Sequence, residues 1–118
     1  MRTGLADQIV DARAAERFYG IAPEPRLGLR AGHIPGSLNL PISDILDSIT
    51  GKLKPADELS QIFTEAGLEM EQPAVTTCGS GVTAAGLTLA LAVLGKMDVR
   101  LYDGSWSEWG ASNAPIET

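Results

Sequence analysis

Cysteine is nearly missing from these 118 residues: Cys78 stands alone, and His33 is the single histidine. One thiol excludes an internal disulfide. One thiol and one imidazole are too few soft ligands for a zinc site, so neither metal nor cofactor is expected. Basic residues are scarce too, nine Lys and Arg against fifteen Asp and Glu for a net charge of −6, and they form no cluster. That balance argues against nucleic acid or an anionic membrane as partner and is read as solubility. Long apolar runs are absent as well, since Val82 to Leu94 is too short to cross a bilayer. The opening Met1-Arg2-Thr3-Gly4 carries no apolar segment of a secretory signal, so a reducing, cytoplasmic compartment is the expectation. What remains, 44% apolar and 20% charged residues, is the composition of an ordinary globular protein, read as a single domain over 1–118.

Short apolar runs alternate with helical patterns along the chain. Gln8-Ile9-Val10-Asp11 reads as a strand followed by a helical turn or two over Ala12 to Phe18, with Asp11 placed to satisfy local N–H groups. Gly20 to Gly36 holds Pro23, Pro25 and Pro35 with Gly28 and Gly32, which predicts a long surface loop. Long loops in compact domains often carry function. At its closing turn, Gly32-His33-Ile34-Pro35-Gly36, His33 is expected to bond backbone rather than serve as a base. Ser37 to Leu40 predicts a second strand stopped by Pro41. Ile42 to Leu46 predicts a short helix capped by Ser43, and Asp57 to Ala66 an amphipathic helix ended by Gly67. Ala74 to Thr77 is the third strand. Val82 to Leu94, apolar nearly all round, predicts a well-buried helix, and Val99 to Tyr102 a fourth strand. After the Asp103-Gly104 turn, Trp106 and Trp109 share one face of a short helical piece, and Ala111 to Thr118 reads as a frayed terminus. Strands alternating with helices, with no hairpin signal between them, predict an α/β fold: a central parallel sheet with helices on both faces. Ligands of such sheets bind beyond the carboxyl ends of the strands.

Cys78 lies at one such end. The stretch Thr76-Thr77-Cys78-Gly79-Ser80-Gly81-Val82-Thr83 joins the third strand to the long helix, and its two glycines let the backbone fold tightly about the sulfur. The N–H groups of such a turn converge into an anion-sized nest at the positive end of a helix, where thiolate is favoured over thiol. Cys78 is therefore the candidate nucleophile, set against the plain alternative of a buried packing cysteine. Arg17, Arg26 and Arg30 flank or lie in the long loop, either as solvated cations or as a fork for a planar carboxylate. Two rival chemistries fit less well. Gly79-Ser80-Gly81-Val82-Thr83-Ala84 matches the dinucleotide pattern G-x-G-x-x-G/A, but only one strand follows it, leaving no room for a second nucleotide-binding half. A cysteine phosphatase would need an arginine where Ala84 stands.

Five stretches together resemble one family, the rhodanese-like sulfurtransferases, and within it the C-terminal domain of the 3-mercaptopyruvate sulfurtransferases. They are Val10-Asp11-Ala12-Arg13, Arg17-Phe18 with Pro23-Glu24-Pro25-Arg26, Gly32-His33-Ile34-Pro35-Gly36-Ser37, Cys78-Gly79-Ser80-Gly81-Val82-Thr83-Ala84, and Tyr102-Asp103-Gly104-Ser105-Trp106. The resemblance spans nearly the whole chain. It implies a small rhodanese-like α/β domain, a six-residue active loop from Cys78 to Thr83, and ping-pong sulfur transfer through a persulfide on Cys78. It further implies that Ser80 is a polar relay, that Arg17 and Arg26 grip the substrate carboxylate, and that Gly79, Gly81, Val82 and Thr83 surround the donor. The implied partners are a small-molecule sulfur donor and an outside acceptor: a small thiol, a thioredoxin-like protein or cyanide. With no second cysteine, no internal thiol can resolve the persulfide. Neutral Gly79 and Ser80 suit monoanionic mercaptopyruvate better than the thiosulfate dianion, which stands second. Members of this type usually carry two such domains, so self-association or a partner domain would complete the cleft. The alternative from another class is a sulfur-carrier or regulatory module loaded by a partner protein.

Overall fold

Four short strands, β1 (Gln8–Asp11), β2 (Leu38–Asn39), β3 (Ala74–Thr77) and β4 (Val99–Leu101), pair in parallel in the order β2-β1-β3-β4. The computed structural model describes residues 8–22, 24, 28–78, 83–102 and 105–118. Side chains alternate across the sheet as strand geometry requires. Ile9 and Val75 point to one face, where they meet Ile34 and Trp106. Val10, Ala74 and Cys78 belong to the other, with Leu59, Phe63, Leu87 and Leu91. Every residue of β3 is buried, as expected of an inner parallel strand.

Helix α1 (Ala15–Phe18) follows β1, and α2 (Ala56–Glu65), α3 (Ala84–Val93) and α4 (Ser105–Trp109) complete the regular structure with a 3₁₀ turn at Ile42–Ile45. The larger core lies under α2, α3 and the 3₁₀ turn, while Trp106 of α4 covers the opposite face. The expected parallel sheet with both faces covered is what forms. Leu59 and Phe63 of α2 are one turn apart on its buried stripe, and Gly67 at φ +99° ends the run in the left-handed region that favours glycine. Among the described residues no helix is long and apolar enough to cross a membrane.

Three local expectations need correction. Ser43 caps nothing: Pro41 occupies the N-cap, and its carbonyl accepts the Asp44 N–H at 2.9 Å. Helix α3 begins at Ala84 and is not buried all round, since Leu89 and Val93 are 58% and 55% exposed. A helix lying on one face of a sheet buries only the side that meets the sheet, however apolar the rest. The C-terminal stretch is docked rather than frayed. His33 and Glu117 exchange both backbone hydrogen bonds at 2.8 and 2.9 Å, and Trp109 Nε1 donates to the Pro115 carbonyl at 2.8 Å. A side chain at Gly32 would put its Cβ 2.4 Å from the Glu117 carbonyl oxygen, so glycine is what lets the tail lie there.

Candidate active site

The register Asp11↔Thr77 sets the carboxyl ends of β1 and β3 side by side, and the Ala12 N–H donates to the Thr77 carbonyl at 2.8 Å. Cys78 follows, fully buried. Its Sγ accepts the N–H of Ala84, the first residue of α3, at 3.3 Å, which puts the sulfur at the positive end of that helix. The surrounding peptide is held from α4. Ser105 Oγ accepts the Cys78 N–H at 3.3 Å, and the Trp106 N–H donates to the Cys78 carbonyl at 2.8 Å. Ser105 Oγ in turn donates to the Tyr102 carbonyl at 2.8 Å. Ser105 has φ +49° and is the one non-glycine residue with positive φ among those described. Sequence reasoning assigned it no role. Its one visible signal was a serine directly after the Asp103-Gly104 turn.

Thr83 stands at the N-cap of α3, exposed and making no side-chain cap bond. Gly79, Ser80, Gly81, Val82 and Arg26 lie outside the described residues, as do Pro23, Pro25, Asp103 and Gly104.

From the end of β1 runs a chain of alternating charge. Asp11 Oδ1 accepts the Arg13 N–H at 2.9 Å, the local role expected of it, and its carboxylate also pairs with Arg13 Nη2 at 2.8 Å. The Arg13 guanidinium lies 4.5 Å from the Trp106 ring centre and donates to the Gly32 carbonyl at 2.7 Å. Its Nη1 reaches Glu24 Oε2 at 3.2 Å. Glu24 then grips Arg17 along one edge, Nη2 to Oε1 at 2.7 Å and Nε to Oε2 at 3.2 Å. Arg17 is held above its ordinary pKa. The Glu24 hydrogen bond is the main cause, opposed by burial and assisted by the charges of Glu24, Asp11 and Cys78. Glu24 and Arg13 were not among the expected site residues, although Glu24 is the lone acid between Gly20 and Gly36.

Arg30 and His33 serve the scaffold. Arg30 donates to the carbonyls of Gly110 at 3.1 Å, Trp109 at 3.2 Å and Ala114 at 2.8 Å. His33 Nδ1 lies 2.6 Å from the Phe18 carbonyl, a backbone bond as expected, and its ring stacks on Phe18 with centres 3.7 Å apart. Neither Arg17 nor Arg30 is therefore a solvated cation. Among the described residues, no three His, Cys, Asp or Glu side chains converge as metal ligands. What the described residues show is a sulfur held at a helix start, a setting suited to a nucleophilic sulfur.

The pattern that defines the rhodanese-like domain matches residues 1–112. A 3-mercaptopyruvate sulfurtransferase of Escherichia coli K12 is 52% identical over 111 residues, covering 93% of this chain and 39% of that protein. The human 3-mercaptopyruvate sulfurtransferase is 49% identical over 102 residues, covering 86% and 34%. A mouse thiosulfate sulfurtransferase is 47% identical over 112 residues, covering 94% and 37%. Among solved structures, the Tum1 protein from Saccharomyces cerevisiae matches with a TM-score of 0.85 at 36% identity, over 95% of this chain and 40% of that one. The E. coli SseA structure, a 3-mercaptopyruvate sulfotransferase, matches with a TM-score of 0.71 at 48% identity, over 87% and 37%. This chain spans less than two fifths of the length of the curated relatives it matches.

Proposed function

Because this chain belongs to the rhodanese-like domain family, we propose that it moves a sulfane sulfur from 3-mercaptopyruvate, with thiosulfate as second donor, through a Cys78 persulfide to an outside acceptor. The observation that carries this reading is the Cys78 sulfur at the start of α3, 3.3 Å from the Ala84 N–H. A sulfur anion there is met by a helix terminus and a peptide donor. Relatives at about half identity named for 3-mercaptopyruvate and for thiosulfate support the choice of donors.

In the first half-reaction the Cys78 thiolate attacks the sulfur of mercaptopyruvate. The carbon–sulfur bond breaks, its electron pair leaves with pyruvate as the enolate, and the enolate takes a proton at carbon. Arg17 and Arg26 grip the carboxylate, Ser80 relays a proton, and Gly79, Gly81, Val82 and Thr83 form the surrounding loop. In the second half-reaction an acceptor thiolate or cyanide attacks the outer sulfur, and Cys78 leaves as thiolate. A cytoplasmic, reducing setting suits a lone working thiol.

Intact mass after brief exposure to each donor, with Cys78→Ser as control, tests the reading. One added sulfur, removed by a reducing thiol and absent from the control, is the expected result, with pyruvate released in equal amount. Retained sulfur loading in Cys78→Ser would overturn the nucleophile assignment. Loss of mercaptopyruvate turnover on replacing Arg17 and Arg26 by alanine is expected; unchanged turnover would sink the carboxylate grip. A second reading is a sulfur-carrier or regulatory module whose Cys78 receives sulfur from a partner protein. Failure of both free donors to load Cys78 is the outcome that belongs to it.

A further inference from the structure

One acid in the charge chain has no part in the reaction just described. The Glu24 side chain is 0% exposed, and its two oxygens hold Arg13 and Arg17. Carboxylates so buried are kept by paired cations. Arg13 does not need Glu24 for neutrality, because Asp11 already matches its charge through three side-chain hydrogen bonds. The charge that Glu24 balances is that of Arg17, which at 30% side-chain exposure is the one open end of an otherwise buried chain. Glu24 also occupies the Nε and Nη2 edge of Arg17.

Resting on the persulfide reading, we propose that Glu24 sets donor selectivity by positioning Arg17 and weakening its cationic field, so that a monoanionic carboxylate is accepted over a dianion. The argument is Coulombic. Interaction with a fixed charge scales with donor charge, so a buried carboxylate beside the anion site opposes thiosulfate twice as strongly as mercaptopyruvate. Because the group is buried, salt screens it less than it would a surface acid. Glu24 touches neither donor in this scheme; it is a positioning residue acting through Arg17.

Glu24→Gln tests this with little change in size. Arg13 keeps Asp11 and the Gly32 carbonyl, so the chain retains most of what holds the loop. Initial rates of persulfide formation would be measured with each donor across a concentration series, on wild type and variant. The expected result is a rise of roughly fivefold in the thiosulfate-to-mercaptopyruvate ratio of kcat/KM, carried mainly by a lower KM for thiosulfate. A purely structural Glu24 would lower both donors alike, and an unchanged ratio with an active wild type overturns this proposal alone. A wild type loaded by neither donor overturns the reading of Cys78 as taking sulfur from these small donors, and this inference with it. Should Glu24→Gln fail to fold, Glu24→Asp keeps the charge and must keep the wild-type ratio even where loading slows; a shifted ratio in that variant overturns the proposal.

Discussion

The backbone N–H of Cys78 reaches the hydroxyl of Ser105 at 3.3 Å, and that hydroxyl is carried on a backbone at φ +49°. Glycine would take this conformation freely, whereas serine bears a cost of about 1 kcal/mol there. Strain of this kind persists where surrounding contacts enforce it, and here it delivers an acceptor to the peptide of Cys78. Ser105→Ala keeps the strain and removes the hydrogen bond to the Cys78 N–H, so it should lose about 1 kcal/mol in urea unfolding. Ser105→Gly relieves the strain and should be the more stable of the two. Both should load sulfur more slowly than wild type in the mass assay. Wild-type stability and loading in Ser105→Ala would show that the bond contributes nothing.

Arg30 ties three carbonyls of the C-terminal segment to the loop before β2. Arg30→Ala should cost about 2 kcal/mol, read from the urea midpoint, since hydrogen bonds from a charged donor to partly buried carbonyls are the stronger kind. Arg30→Lys should recover little of this, because one ammonium cannot span the fork of acceptors that a guanidinium does. Full recovery by lysine would mean that charge, not geometry, holds the tail.

Tyr102 donates to Glu108 Oε1 at 2.7 Å, and its hydroxyl is pushed up to about 12, first by burial and then by the hydrogen bond and charge of Glu108. A folded-state pKa above the unfolded value contributes stability that is complete below the ordinary value of 10.0 and is lost as pH rises toward 12. In Glu108→Gln the ultraviolet titration of Tyr102 should move down yet stay above the ordinary value, because burial remains. An unmoved titration would remove Glu108 as a cause.

At the other end of the sheet, Lys96 is buried with its ammonium bonded to the carbonyls of Met70 and Gln72 and to Asp98 Oδ1. That hydrogen bond is the main reason the Asp98 carboxyl sits below its usual value of 3.8. A depressed folded-state pKa contributes stability above the unfolded value and loses it as pH falls through the folded one. Wild type should therefore exceed Asp98→Asn in stability near neutrality, with the gap closing below about pH 3.8. A gap constant through the acid range would contradict the pairing.

Much of this architecture is readable from local pattern. The stripe of Leu59 and Phe63 with Gly67 after it marks α2, and the apolar run ahead of Cys78 marks β3. What escapes such reading is any role set by a partner far along the chain. Arg30 meets Gly110, and Ser105 meets Cys78, only after the sheet has formed. Periodicity says that a residue has an inner face but not what covers it, which is why Leu89 and Val93 were misplaced. Glu24 was visible as an acid among arginines, yet nothing local told which cation it would hold.

The strand order carries a consequence for how the molecule comes into being. β1 lies inside the sheet between Leu38–Asn39 and Ala74–Thr77, so during synthesis one of its edges stays unpaired until the second half of the chain has emerged. Pairings that distant form slowly and leave apolar strand edges open to other chains in the meantime. The thiol's setting needs β3, α3 and α4 together, so it cannot form until nearly the whole chain has emerged. A chain delayed on the way is a hazard for aggregation before its thiol is ever set in place.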